Sequence, residues 1–306
     1  MRNLFVKILV STAAVGIMSA ISPGFAQNVV EETAPSVVTT EEEPGLSASV
    51  IAARSDPENW REVAPENLIV FETTKGRILI EAYPEIAPNH VAQFITIVRS
   101  GDYDGTPFHR VIDGFMAQGG DILSHHGRES GLPNIGAEFT FRRDPAVMKF
   151  DMLGDPDRSL QGYFKGLPVR TESAWLAELV KDGKVESYVP HCAGIVSTAR
   201  LGDDTDSANS QFFLMRGHTE TLDKLYTPWG RIVDGVEAPR EMKTGDPQVV
   251  DPDILTSARM ADDILPEQRP RVWVQRSDGP IYSSEIAVVE GEDVCDRDPV
   301  ASIVQN

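Results

Sequence analysis

Residues 108–121 read Phe-His-Arg-Val-Ile-Asp-Gly-Phe-Met-Ala-Gln-Gly-Gly-Asp. Two short apolar runs, 108–112 and 116–118, are each cut off by glycine before a helical period can establish itself, which is the pattern of short strands joined by tight turns. The same punctuation recurs downstream at 194–198, 211–215 and 229–233. Upstream, 68–73 reads as a strand, Lys75-Gly76 as a hairpin turn and 77–82 as a second strand with polar and apolar residues alternating. One segment differs: Ala87-Pro88 opens a helix whose Val91, Phe94, Ile95 and Val98 share a face, and Gly101 closes it. Many short strands around few helices predict a mainly β fold, a sheet closed on itself with helices packed against it. No internal repeat is visible.

A second stretch makes the pattern specific. Residues 205–214 read Thr-Asp-Ser-Ala-Asn-Ser-Gln-Phe-Phe-Leu. With 108–121, and with Gly194-Ile-Val-Ser-Thr-Ala-Arg, Leu222-Asp223 and Trp229-Gly230, it resembles the cyclophilin family of peptidyl-prolyl cis-trans isomerases. The resemblance spans roughly 66–262 with one long interruption, and Ala199-Arg200 and the Ser-Ala-Asn-Ser-Gln run look more like the bacterial branch. It implies an eight-stranded antiparallel barrel capped by two helices, with the active site on its outer face.

The chemistry such a site needs can be argued from the peptide bond itself. Rotation about an X-Pro bond crosses a barrier of about 18–20 kcal/mol because it breaks amide resonance, and uncatalysed exchange takes tens to hundreds of seconds. A catalyst must bind the twisted amide better than either planar isomer, with about 1.4 kcal/mol of preference for each factor of ten. No nucleophile, metal or cofactor is required. A guanidinium suits the task, since it is permanently charged and offers rigid donors to a pyramidal nitrogen, while an apolar cup holds the proline ring. By resemblance, Arg110 takes the catalytic arginine position and Gln118 the amide that orients the substrate carbonyl. Phe115, Met116, Phe213 and Leu222 take the proline cup; Ala199, Arg200 and Gln211 line the groove for residues before proline; Tyr226 sits at the rim. Thr221 stands where many eukaryotic relatives carry Trp, which predicts weak binding of cyclosporin-like macrocycles with isomerisation retained.

The 306 residues carry 28 Lys+Arg against 47 Asp+Glu, a formal charge of -19. That balance argues against nucleic-acid partners, whose binding is mostly electrostatic. Residues 1–26 hold Arg2 and Lys7, an apolar stretch too short to span a bilayer, then small residues at Gly24 and Ala26. This is the three-part pattern of a signal peptide, predicting export, most plainly to a periplasm, without stable membrane insertion after cleavage. Residues 27–59, acidic and weakly apolar, read as a flexible linker. The isomerase domain is then 60–262, with an insert at about 142–190, and 263–306 is a C-terminal extension.

Within the insert, Thr171 is expected to cap a helix whose Trp175, Leu176, Leu179 and Val180 share one face, ending near Gly183; that face docks on the barrel or, as the alternative, offers a surface to a client or partner. In the extension, 271–275 and 281–289 read as strands. Cys192 and Cys295 are the only thiols; export permits a disulfide between them that would pin the tail near the insert, with two free thiols as the alternative. His125, His126 and His191 lack metal-ligand spacing and read as solvated loop residues, and Asp203, Asp204 and Asp206 lack the Gly and Glu of a calcium loop. The expected partners are proline-containing polypeptides. The competing reading is a barrel that binds unfolded chains, with isomerisation incidental; retention of Arg110 argues against it.

Overall fold

Strict alternation along the central strands sends one set of side chains inward and the other outward, and here both faces are apolar. The strand Phe212–Met215 shows the consequence: Phe212 and Leu214 enter one buried cluster, Phe213 and Met215 a second. The computed structural model describes residues 46–289, 291–297 and 300–305. The predicted signal peptide and residues 27–45 of the predicted linker lie outside the described residues.

The central sheet is antiparallel and curled. Its strand order is Thr106–Pro107, Ile254–Met260, Leu68–Thr73, Gly76–Ala82, Pro228–Asp234, Ile195–Thr198, Phe212–Met215, Met116–Gly119, Arg110–Ile112. Seven of these correspond to strands read from the sequence; Ile254–Met260 completes the eight that the resemblance implies, and the two-residue Thr106–Pro107 adds a ninth at one end. Inside the curl, Phe94 stacks on Trp229 with ring centroids 4.5 Å apart, Tyr103 lies near-parallel to Phe94 at 6.3 Å, and Phe71 and Phe212 pack edge-on against Tyr103. Phe94 comes from the helix Pro88–Ser100, which begins with Pro at N1 and ends at left-handed Gly101 as expected. The second capping helix, Glu237–Arg240, is a single turn that buries Ala238 and Pro239.

The outer face of the curl is covered by the insert, which is not in the form expected, and by the tail, which takes the expected form only in part. The insert is a five-stranded antiparallel sheet, in the order Phe141–Arg143, Val185–Tyr188, Leu167–Thr171, Gln161–Phe164, Asp151–Met152. The expected helix is only a 3-10 turn, Ala174–Glu178, and Trp175, Leu179 and Val180 are exposed rather than docked. Thr171 ends a strand, where its hydroxyl serves buried Arg143 and Ser187 instead of a helix N-terminus. The residues the insert does bury include Tyr163, Leu167 and Val169 on strands and Phe150 just before one, and they belong to the barrel's outer cluster.

Two further corrections concern the flanks. Part of the expected linker is ordered: Ser47 caps the helix Ala48–Ser55 by accepting from the Val50 amide, and Val50 and Ala53 bury against Trp273. In the tail, Arg271–Gln275 is a strand as read, pairing with Trp60–Glu62 and Ser302–Gln305. The second expected strand is instead the helix Pro280–Ala287, which starts with proline at N1 and buries Tyr282 and Ile286, four residues apart. The cysteines are bonded, with Cα atoms 4.9 Å apart, and the bond ties the tail to the segment before the Ile195–Thr198 strand. No helix among the described residues is long and apolar enough to cross a membrane.

Candidate active site

Antiparallel register aligns the candidate residues in a row. Arg110 lies opposite Gln118, Gln118 opposite Phe213, and Phe213 opposite Ser197. Directly paired residues point to the same face, so arginine, glutamine and phenylalanine emerge side by side on the outside of the curl. Two glycines make the turns around them. Gly120 has a positive φ, and a Cβ there would stand 2.7 Å from the Ser210 carbonyl oxygen; Gly217 passes so close to Gly114 that a Cβ would stand 2.2 Å from its carbonyl oxygen. The second approach sets the turn that presents Phe115, whose carbonyl accepts from the Arg216 amide at 2.8 Å.

Arg110 donates Nε to Asp246 Oδ1 at 2.7 Å, with both side chains partly open to solvent. Asp246 is brought there by Gly245, which exchanges backbone hydrogen bonds with Val111. The outer guanidinium nitrogens make no hydrogen bond to the described residues, and the side chain is partly exposed. Gln118 Nε2 donates to Gln211 Oε1 at 2.8 Å, leaving its second N–H for a substrate carbonyl. Phe115, Met116, Phe213, Ala199, Leu222 and Tyr226 belong to one apolar cluster on the outer face. Met116 is 2% exposed and Phe213 5%, while Phe115, Leu222 and Tyr226 are half-buried. Tyr226 meets Phe213 edge-on at 5.7 Å.

Arg200 is committed more to structure than to an open groove. Its Nε donates to the Leu225 carbonyl at 2.8 Å, Nη1 donates to the Leu201 carbonyl, and the guanidinium lies 4.6 Å over the Tyr226 ring. It thereby fixes the rim residue Tyr226. Beside it a groove of about 600 Å³ is bordered by Gln118, Ala199, Arg200 and Gln211, with Asp121 and Glu129 adding negative charge. Thr221 is exposed, in the 3-10 turn Glu220–Leu222.

Sequence reasoning missed the support beneath the cup. His191, expected in solvent, is fully buried: it stacks 6.1 Å from Phe213, its Nδ1 lies 3.0 Å from Asp223 Oδ1 and its Nε2 3.2 Å from Ser197 Oγ. Asp223 is also 3.8 Å from Arg170 of the insert, which pairs with Asp293 of the tail. A chain of polar contacts thus runs from tail and insert to the ring under the proline cup. The available signal was the neighbouring Cys192, since residues next to a tail-pinning disulfide are drawn inward. His125 and His126 end a one-turn helix capped by Asp121, and are exposed as expected. The Ser-Ala-Asn-Ser-Gln run acts largely as scaffold. Asn209 donates to the Leu132 carbonyl and Asn134, and Ser210 Oγ donates to the Gly120 carbonyl. His218, Asp293 and Cys295 cluster within ligand distance, but the Cys295 sulfur is bonded to Cys192 and offers no thiolate.

Comparison with known proteins agrees with this geometry. Residues 68–260 match the family model described as cyclophilin type peptidyl-prolyl cis-trans isomerase/CLD. A probable peptidyl-prolyl cis-trans isomerase of Brucella abortus is 33% identical over 181 residues, 59% of this chain and 74% of that protein. Peptidyl-prolyl cis-trans isomerase B of Bacillus subtilis is 30% identical over 56% of this chain and 86% of its own length. The crystal structure of cyclophilin AquaCyp293 from Hirschia baltica superposes with a TM-score of 0.80 at 45% identity, covering 85% of this chain and 98% of its own.

Proposed function

The chain belongs to the cyclophilin-type peptidyl-prolyl cis-trans isomerase family, and from that premise we propose that it speeds rotation about X-Pro bonds in exported polypeptides by arginine-assisted stabilisation of the twisted amide. The observation that carries this is the row Arg110, Gln118, Phe213 on one outward face. The proline ring rests on Phe213 and Met116 between Phe115 and Leu222. Gln118 donates to the carbonyl on one side of the bond, and an outer nitrogen of Arg110 donates to the proline nitrogen as its lone pair re-forms. That last bond strengthens only as the amide twists, which is the differential binding catalysis requires. Asp246 holds Arg110 by Nε alone and so leaves the outer donors for substrate.

Export supports the choice of client. The signal-peptide pattern of residues 1–26 directs the chain out of the cytosol, and the Cys192–Cys295 bond suits an oxidising compartment. The test is a protease-coupled assay on a proline tetrapeptide with the purified mature chain. Acceleration proportional to enzyme concentration is expected; exchange at the uncatalysed rate would remove the proposal.

A further inference from the structure

We propose a second ligand site, for a small oxyanion, in the cavity between barrel, insert and tail. The cavity holds about 400 Å³ and is walled by the Cys192–Cys295 disulfide, a volume suited to a small organic molecule. Arg231, Arg240 and Arg297 line it, one from the barrel strand Pro228–Asp234, one from the single-turn helix after it and one from the tail.

Arg231 carries the argument. It is 2% exposed, and its Nε and Nη2 have no hydrogen-bond partner among the described residues. A buried guanidinium is costly unless an opposite charge and acceptors meet it. Its cross-strand neighbour Glu81 is already taken: Arg61 grips both carboxylate oxygens, at 2.6 and 2.8 Å, and the Tyr83 hydroxyl donates to one of them. The insert packs beside this guanidinium at Gly166, where a Cβ would stand 3.5 Å from Arg231 Nη2, but the Gly166 amide donates to Ser277 Oγ and supplies it no acceptor. Arg240 and Arg297 are each half-neutralised, by Glu237 at 2.8 Å and Glu292 at 3.0 Å, and keep further donors at the mouth. Glu237 and Asp296 also border the cavity, so the rim selects for a compact anion that reaches past them to Arg231. A carboxylate or a phosphate matches the guanidinium fork equally well. Because the three arginines come from separate parts of the chain, occupancy would also hold the tail against the barrel.

The test is calorimetric titration of the oxidised protein with citrate and, separately, inorganic phosphate, at constant pH and ionic strength. One saturable site is expected for at least one probe. Citrate binding alone identifies the carboxylate class, phosphate binding alone the phosphate class. Arg231→Met should weaken binding more than tenfold, and Arg240→Gln or Arg297→Gln about threefold, while isomerase activity without the anion stays unchanged. At a hundredfold excess over Kd, Tm should rise by roughly 5 °C or more. No saturable heat with either probe, or equal affinity in Arg231→Met, overturns the site. Should Arg231→Met fail to fold, unchanged affinity in both mouth variants overturns it instead.

Discussion

Arg110 meets the protein at its Nε and the substrate side at its outer nitrogens, so its two halves can be tested separately. Asp246→Ala leaves the guanidinium charge and removes its anchor. For a partly exposed pair the loss should be about 1 kcal/mol, a roughly fivefold fall in kcat/KM, and Asp246→Asn, which keeps an oxygen acceptor, should retain most activity. A fall as large as that of deleting the arginine would mean that Asp246 itself contacts substrate. At the rim, Thr221 is exposed and small where an indole would close the groove. Weak inhibition by cyclosporin is expected for the native chain in the coupled assay, and Thr221→Trp should tighten it at least tenfold. Tight inhibition of the native chain would contradict that reading. Arg110, Phe115, Met116, Gln118 and Phe213 could be singled out from the sequence because two short blocks, 108–121 and 205–214, hold them, while Leu222 lies outside both. His191 was not: a histidine's burial is decided by what stacks on it, and here that partner comes from another strand and its acid from another loop.

The insert shows why elements were read less well than the site. Trp175, Leu176, Leu179 and Val180 have helical spacing, but spacing stabilises a helix only if another surface covers the face, and three of these four are exposed. The strands that do form alternate weakly and rely on the barrel for burial. The Ala48–Ser55 helix was missed for the same reason in reverse: its two core residues mean little until Trp273, more than two hundred positions later, covers them. Where insert and tail meet, Ser277 donates to Asp151, and burial pushes the Asp151 carboxyl up to about 6 from 3.8. A raised carboxyl binds its proton more tightly in the folded than in the unfolded chain. Its contribution to stability therefore grows as pH falls from about 6 toward 4, and its ionised form is a penalty above that window. Asp151→Asn should be more stable than the native chain at pH 7, and by urea midpoint most of that difference should be gone at pH 4. The same difference at both pH values would show that the asparagine acts through packing alone.

At the scale of the molecule, the fold is one curled sheet whose interior is filled by its own aromatics and whose outer face is divided. One part is covered by insert and tail, the other carries the candidate site around Arg110 and Gln118. The disulfide closes the seam, 103 residues apart in sequence. Chain-entropy arguments assign a cross-link of that length about 4–5 kcal/mol. Cys295→Ser should therefore lower stability by about 2–5 kcal/mol in urea unfolding, and unchanged stability would mean the tail is held without it. The barrel was legible from glycine-punctuated strands; the cover was not, because its energetics are contacts between distant segments. The central claim is that Arg110 makes this groove catalytic. Its most direct test is the protease-coupled proline assay on Arg110→Ala beside the native chain, with circular dichroism confirming the fold of both. We predict a fall in kcat/KM of about a hundredfold, the scale of one lost transition-state donor; isomerisation undiminished in the variant would contradict the account.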